Sequence, residues 1–155
     1  MDNNLARRSS RELRALFRTA ACPDLADVSG RLEAELTGPV LVRAVAPLAF
    51  RLTGLGDWWG KDLRSTGTGE VLAGYNLAGP RGERTTLALR GTVGPSRLDG
   101  RPAVVLTYPP DAPFPWRRVV DELRTLADGT VLGLTFGLPF TPRDGSPFLL
   151  RREVR

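Results

Sequence analysis

Few residues in this chain carry chemistry, and the densest group of them is Gly56-Asp57-Trp58-Trp59-Gly60-Lys61-Asp62-Leu63. It holds two of the three tryptophans and the sole lysine, set against 21 arginines. A lysine ammonium is a compact charge with three donors, whereas a guanidinium is a planar fork. One lysine kept in an arginine-rich chain therefore points to a place where an ammonium is wanted. On a strand, alternate residues share a side, which puts Lys61 with Trp59 and Leu63. Facing inward, Lys61 needs an acid or an anionic ligand; facing solvent, it pairs with Asp57 or Asp62.

The other polar candidates are spread along the chain. Asn76 is the only asparagine beyond the N-terminus, and within a strand it either lines a polar lumen or opens a turn. Tyr75 and Tyr108 carry phenols that orient a ligand or pack in a core. Asp121 and Glu122 stand beside Arg124; adjacent carboxylates diverge on an extended chain, so pairing with an arginine, or capping, accounts for them more simply than shared acid–base work. Ser96 lacks the Gly-x-Ser-x-Gly elbow, and Gly67-Thr68-Gly69 matches neither a P-loop nor a dinucleotide fingerprint.

Composition removes whole classes of chemistry. Histidine is absent, and with it the Ser-His and Cys-His nucleophile pairs and most zinc sites. The single cysteine, Cys22, permits no internal disulfide and no thiolate cluster, which fits a reducing, cytoplasmic setting. No metal or cofactor is expected. The formal charge of +5 and a pI near 10.5 suggest nucleic acid, but the arginine bias, with no isoleucine and no glutamine, reads as replaced lysine scattered over the surface, and no specific nucleic acid is expected. No run of eighteen apolar residues is present to span a bilayer, and Met1-Asp2-Asn3-Asn4 begins no signal peptide.

The elements that must position these residues are legible from periodicity and turns. Ser9-Ser10-Arg11-Glu12 is a capping box that starts a helix through about Ala20. Its arginines, Arg7, Arg11, Arg14 and Arg18, recur at helical spacing beside a short apolar stripe, so the helix packs on the domain or, alternatively, rests on a membrane surface or a protein partner. Arg31 to Leu36 reads equally as a strand or a helical turn. Val40 to Leu55 reads as a mostly buried helix, kinked at Pro47, that covers one side or end of the fold.

From Trp58 the period shifts towards two. Strands are expected over 58–65, 70–78, 83–93, 103–108, 121–126, 130–136 and 148–153, with Ala127-Asp128-Gly129 as a hairpin turn. Val104, Leu106 and Tyr108 share one face; Leu132, Leu134 and Phe136 share another, opposite Val131, Gly133 and Thr135. The proline-rich stretch 109–115 crosses over the barrel to a brief helical turn near 116–120. One domain of 155 residues is expected, with residues 1–55 mostly helical and packed on a barrel formed by residues 56–155. Consecutive antiparallel strands favour closure, which removes exposed edges. The fold class is therefore mainly β with N-terminal helices, an up-and-down barrel of seven or eight strands.

Gly56-Asp57-Trp58-Trp59-Gly60 with Lys61, followed by Gly74-Tyr75-Asn76, Asp121-Glu122-Leu123-Arg124 and Leu132-Gly133, resembles the bacterial GXWXG-type domains of unknown function. More loosely it resembles the Gly-x-Trp start of lipocalins and other calycin barrels. The resemblance covers roughly residues 56–155. It implies a lipocalin-like barrel plugged at one end by a tryptophan, with an arginine of the last strand, Arg151 or Arg152, laid on its ring.

These readings combine into a non-catalytic module that binds a small, largely apolar or amphipathic molecule inside the barrel. Trp59, Lys61, Tyr75, Asn76, Tyr108 and Arg124 are the candidate ligand contacts. The alternatives are a side-chain-filled barrel that docks a protein partner, and an isomerase- or cyclase-like enzyme working through Lys61, Tyr75 and Asp121.

Overall fold

The computed structural model describes residues 4–38, 55–139 and 141–154. Helix α1 (Ser10–Thr19) starts as its capping box requires: the Ser9 hydroxyl accepts from the Glu12 N–H, and the Glu12 carboxylate accepts from the Ser9 N–H. Eight strands follow: β1 (Gly30–Leu36), β2 (Trp58–Thr66), β3 (Val71–Ala78), β4 (Arg84–Pro95), β5 (Pro102–Thr107), β6 (Val120–Thr125), β7 (Val131–Phe136) and β8 (Ser146–Arg152). Each pairs antiparallel with the next, and β8 pairs back to β1, which closes the barrel. Closure leaves no unpaired sheet edge.

The barrel begins earlier than residue 56. The segment that sequence left open between strand and helix is β1, which pairs Leu32 with Lys61 on one side and with Arg152 on the other. Its residues alternate, Arg31, Glu33 and Glu35 outward against Leu32, Ala34 and Leu36, but Leu, Ala, Glu and Arg are by propensity helix formers, so pattern and propensity disagree. The expected helix over 40–55 lies outside the described residues, apart from Leu55, which is buried in the core.

Two apolar clusters divide the fold. The inner one joins Leu32, Leu63, Leu72, Leu89, Val104, Leu106, Leu123, Val131, Phe148 and Leu150, residues of all eight strands, so it fills the lumen. Phe148 lies over Gly133, where an added Cβ would come 2.2 Å from the ring. Leu25 and Val28, from the stretch that leads α1 into β1, close the lower end. The outer cluster packs Leu13 and Phe17 of α1 against Leu132, Leu134, Phe136 and Leu149, so the two faces read from β7 are the lumen face and the helix-covered face.

The upper mouth lies at the ends of β1, β3, β5 and β7. It is crossed by residues 109–119, which carry Trp116 and Ala112 into the inner cluster. The Trp116 ring lies 5.6 Å from that of Tyr108. Among the described residues, backbone hydrogen bonds within this crossing run from Ala112 to Pro109, Trp116 to Pro113, Arg118 to Pro115 and Val119 to Trp116.

Candidate functional site

A polar cluster interrupts the leucine-lined lumen just below the upper mouth. It is assembled from two cross-strand pairs on opposite walls. Lys61 of β2 stands opposite Asn76 of β3, and Asp121 of β6 stands opposite Thr135 of β7. Tyr108, just past the end of β5, reaches between them. Lys61, Asn76, Tyr108 and Asp121 are all buried, with 1%, 0%, 7% and 4% of their surfaces exposed.

Every proton of the Lys61 ammonium has a partner. Nζ donates to Asn76 Oδ1 at 2.9 Å and to Tyr108 Oη at 3.3 Å, and it sits 2.8 Å from Asp121 Oδ2. Asn76 Nδ2 donates to Tyr108 Oη at 2.9 Å, and Thr135 Oγ1 donates to Asp121 Oδ1 at 2.7 Å. The Trp58 indole N–H is shared between Gly60 O and Asn76 Oδ1, at 2.9 and 3.1 Å. Nζ also lies 5.5 Å from the Trp58 ring centre and 5.8 Å from that of Tyr108, within cation–π range.

Electrostatics keep both titratable donors protonated. Burial alone would lower the Lys61 value, but the facing Asp121 charge, followed by the Tyr108 contact, outweighs it and the net shift is upward. Tyr108 is also raised: burial disfavours its phenolate more than the Lys61 charge favours it. The cluster is thus an ammonium–carboxylate pair flanked by a neutral phenol and an amide.

Backbone irregularities aim these side chains. A bulge between Trp58 and Gly60 breaks the alternation of β2, so Trp58, not Trp59, joins Lys61 at the lumen. This corrects the expected sharing of a side by Trp59 and Lys61. The Trp59 ring instead packs outside, under the Arg31 guanidinium at 4.9 Å. Gly60 permits the turn, since a Cβ there would come 1.9 Å from Leu32 O of the neighbouring strand. A second bulge lies between Tyr75 and Asn76, opposite Leu87 of β4. Leu87 takes a φ of 46°, a strained left-handed conformation for a leucine, and its carbonyl accepts from Asn76 Nδ2 at 3.4 Å.

Of the sequence-derived candidates, the structure brings Lys61, Asn76 and Tyr108 together and separates the rest. Tyr75 points away from the lumen and is 50% exposed, so the trio Lys61, Tyr75 and Asp121 is not assembled; Tyr108 stands in that place. Arg124 is fully buried, but beneath α1 on the outside of the wall, bonded to Asp99 and to backbone carbonyls including Phe17 O. The arginine over a tryptophan ring comes from β1, whereas Arg151 pairs with Glu35 and Arg152 holds Ser29 O and Asp27 O.

Sequence reasoning missed Thr135 and chose the wrong tryptophan. It set Asp121 beside Lys61 only in the enzyme alternative and did not pair the two as ions, because they lie 60 positions apart on non-adjacent strands. The one available signal was Gly60 within a strand, which marks a bulge or close backbone approach.

Among the described residues no three His, Cys, Asp or Glu side chains are grouped to hold a metal ion, and no helix is long and apolar enough to cross a membrane. Two grooves lie outside the barrel wall. One, of about 970 Å³, runs between the end of α1 and the β6–β7 turn and includes Cys22. The other, of about 470 Å³, lies beside the upper mouth.

The fold is similar to that in the crystal structure of a protein from Thermomonospora curvata, with a TM-score of 0.55 and 17% identity over 96% of this chain and 90% of that one. No family model and no curated protein matches the chain.

Proposed function

We propose that the protein is a non-catalytic binding module whose ligand is a small, largely apolar molecule with one neutral polar group. The molecule is held at the upper mouth of the barrel with that group against Lys61, Asn76 and Tyr108. The observation that carries the reading is the buried cluster itself. Taking an ammonium and a carboxylate out of water costs several kcal/mol per ion before their attraction repays it, and apolar residues of similar volume serve stability as well or better. A barrel built only to be filled would continue its leucine lining upward. Two bulges and the strained Leu87 all fall at this one level of the wall, and such irregularities concentrate where side chains must be aimed.

The charge state sets the ligand's chemistry. Asp121 already supplies the acid that Lys61 requires, so the pair is balanced and a hydroxyl or carbonyl suits it better than an anion. Lys61 and Tyr108 both hold their protons, and the Asp121 carboxylate is engaged by Lys61, Tyr108 and Thr135. A ligand's polar group therefore exchanges with one of these internal bonds, and the absence of an unengaged base favours binding over the isomerase or cyclase alternative. Access runs past the 109–119 crossing, whose Trp116 covers Tyr108.

The filled-barrel reading is favoured by one observation: Lys61 has no unused proton. Native mass spectrometry of protein purified from its own source separates the two. The binding reading expects a small-molecule adduct released on denaturation; recovery of unliganded protein alone, together with no uptake of a lipophilic probe, points to the filled barrel docking a partner.

A further inference from the structure

The groove beside the upper mouth has features that the lumen does not explain. It lies between the 109–119 crossing, the turn after β4 and residues 137–139 and 141–143, with a volume of about 470 Å³, within the range of small-molecule sites. Its floor is apolar, with Phe136 buried and Leu138 half-buried. Its rim carries three exposed guanidiniums, Arg97, Arg118 and Arg143. Arg97 lies 6.0 Å from the Phe136 ring centre, and Arg118 lies 6.0 Å from that of Phe114. Phe114 is 58% exposed, one of the few large apolar side chains left in solvent.

Two acids adjoining the rim arginines in sequence or contact are engaged elsewhere. Glu122 is fully buried and accepts from the Ser96 hydroxyl and from the Arg97 N–H, at 2.6 Å for the latter. It therefore pins the turn that presents Arg97 instead of neutralising its guanidinium. Asp144, next to Arg143, pairs with Arg14 of α1 at 3.4 Å. Among the described residues none of the three rim guanidiniums forms an ion pair. Three guanidiniums lining one groove, without ion-pair partners among the described residues, leave a positive potential over its apolar floor.

The geometry points to a second binding site in this groove, independent of the lumen, for a planar aromatic anion: an aryl or heteroaryl ring that bears a sulfonate, carboxylate or phosphate. The ring lies on Phe114 and the Leu138–Phe136 floor, and the anion takes the paired N–H groups of Arg118 and Arg143. Guanidinium suits both tasks, since it stacks on rings and binds oxyanions bidentately.

Two fluorescent probes with one ring system test this. 1-Anilinonaphthalene-8-sulfonate carries the anion, and N-phenyl-1-naphthylamine lacks it. The arginines are exposed, so the Arg118→Ala/Arg143→Ala double variant retains the fold. The expected result is saturable, one-to-one binding of the sulfonate that weakens about tenfold or more in the double variant and with rising salt. Binding of the neutral probe, which reports on the lumen, is expected to be unchanged by the same variant. Equal affinity of the sulfonate for the wild type and the double variant would overturn the proposal and leave the lumen reading untouched.

Discussion

Lys61 and Asp121 belong to strands that are not neighbours in the sheet, yet Nζ and Oδ2 stand 2.8 Å apart with side-chain exposures of 1% and 5%. Only a path through the lumen joins β2 to β6 at that distance, so this ion pair braces the barrel across its interior.

Removing one partner of the brace leaves a charge buried alone. Lys61→Met is expected to lower unfolding free energy by about 3–5 kcal/mol in denaturant titrations. The double variant Lys61→Met/Asp121→Leu is expected to recover most of that loss, to within about 2 kcal/mol of wild type, because it removes the orphaned charge as well. Additive losses in the double variant would show that the pair is not coupled.

The same cluster makes stability sensitive to alkali. Lys61 and Tyr108 are both raised in the folded protein above ordinary values of 10.5 and 10.0. Well below pH 10 both are protonated, folded or unfolded, and their contribution is fully present. Above it the unfolded chain loses these protons first, so stability falls as pH rises through the folded values. Denaturation midpoints followed upward from pH 9 should decline, and the decline should be shallower in Lys61→Met/Asp121→Leu/Tyr108→Phe. An equal slope in that variant would place the alkaline loss elsewhere.

Arg124 anchors α1 to the outer wall. Its guanidinium donates to Phe17 O at 2.8 Å, to both oxygens of Asp99 at 2.8 Å, and to Pro102 O and Arg101 O at 3.0 Å, and it lies 4.5 Å from the Phe17 ring centre. Arg124→Met leaves the Asp99 carboxylate without its guanidinium and takes a donor from each of three carbonyls, at an expected cost of about 3–5 kcal/mol. Amide exchange in Ser10–Thr19 should speed up more than in β2 and β3. The bond from Arg124 also holds Asp99 below its ordinary value of 3.8. That contribution is present above pH 3.8, is lost as pH falls through the lowered value, and should vanish in the variant.

The barrel was legible from sequence because its strands alternate and its turns carry glycine and aspartate: β2 to β8 fall within a few residues of expectation, and the shared faces of Val104, Leu106 and Tyr108 and of Leu132, Leu134 and Phe136 are those observed. β1 was ambiguous because its alternation is carried by Leu, Ala, Glu and Arg, residues whose own propensity is helical. Lys61 stood out by rarity and Asn76 by misplacement, two local signals. What made them a site was non-local. A one-residue bulge exchanged Trp59 for Trp58, and closure of the sheet brought Asp121 across to Lys61. Arg124 was misassigned for the same reason, since alternation places it opposite Asp121 but does not say that a helix covers that side.

Uptake of N-phenyl-1-naphthylamine, and its displacement by 1-decanol and by decane, tests the central claim most directly. The account predicts saturable one-to-one binding of the probe and displacement by the alcohol at lower concentration than by the hydrocarbon, because the hydroxyl exchanges with one of the internal hydrogen bonds of the Lys61–Asn76–Tyr108 cluster. It also predicts that Tyr108→Phe weakens displacement by the alcohol severalfold while leaving that by decane unchanged. Absence of saturable uptake, or equal displacement by alcohol and hydrocarbon in both proteins, would contradict it.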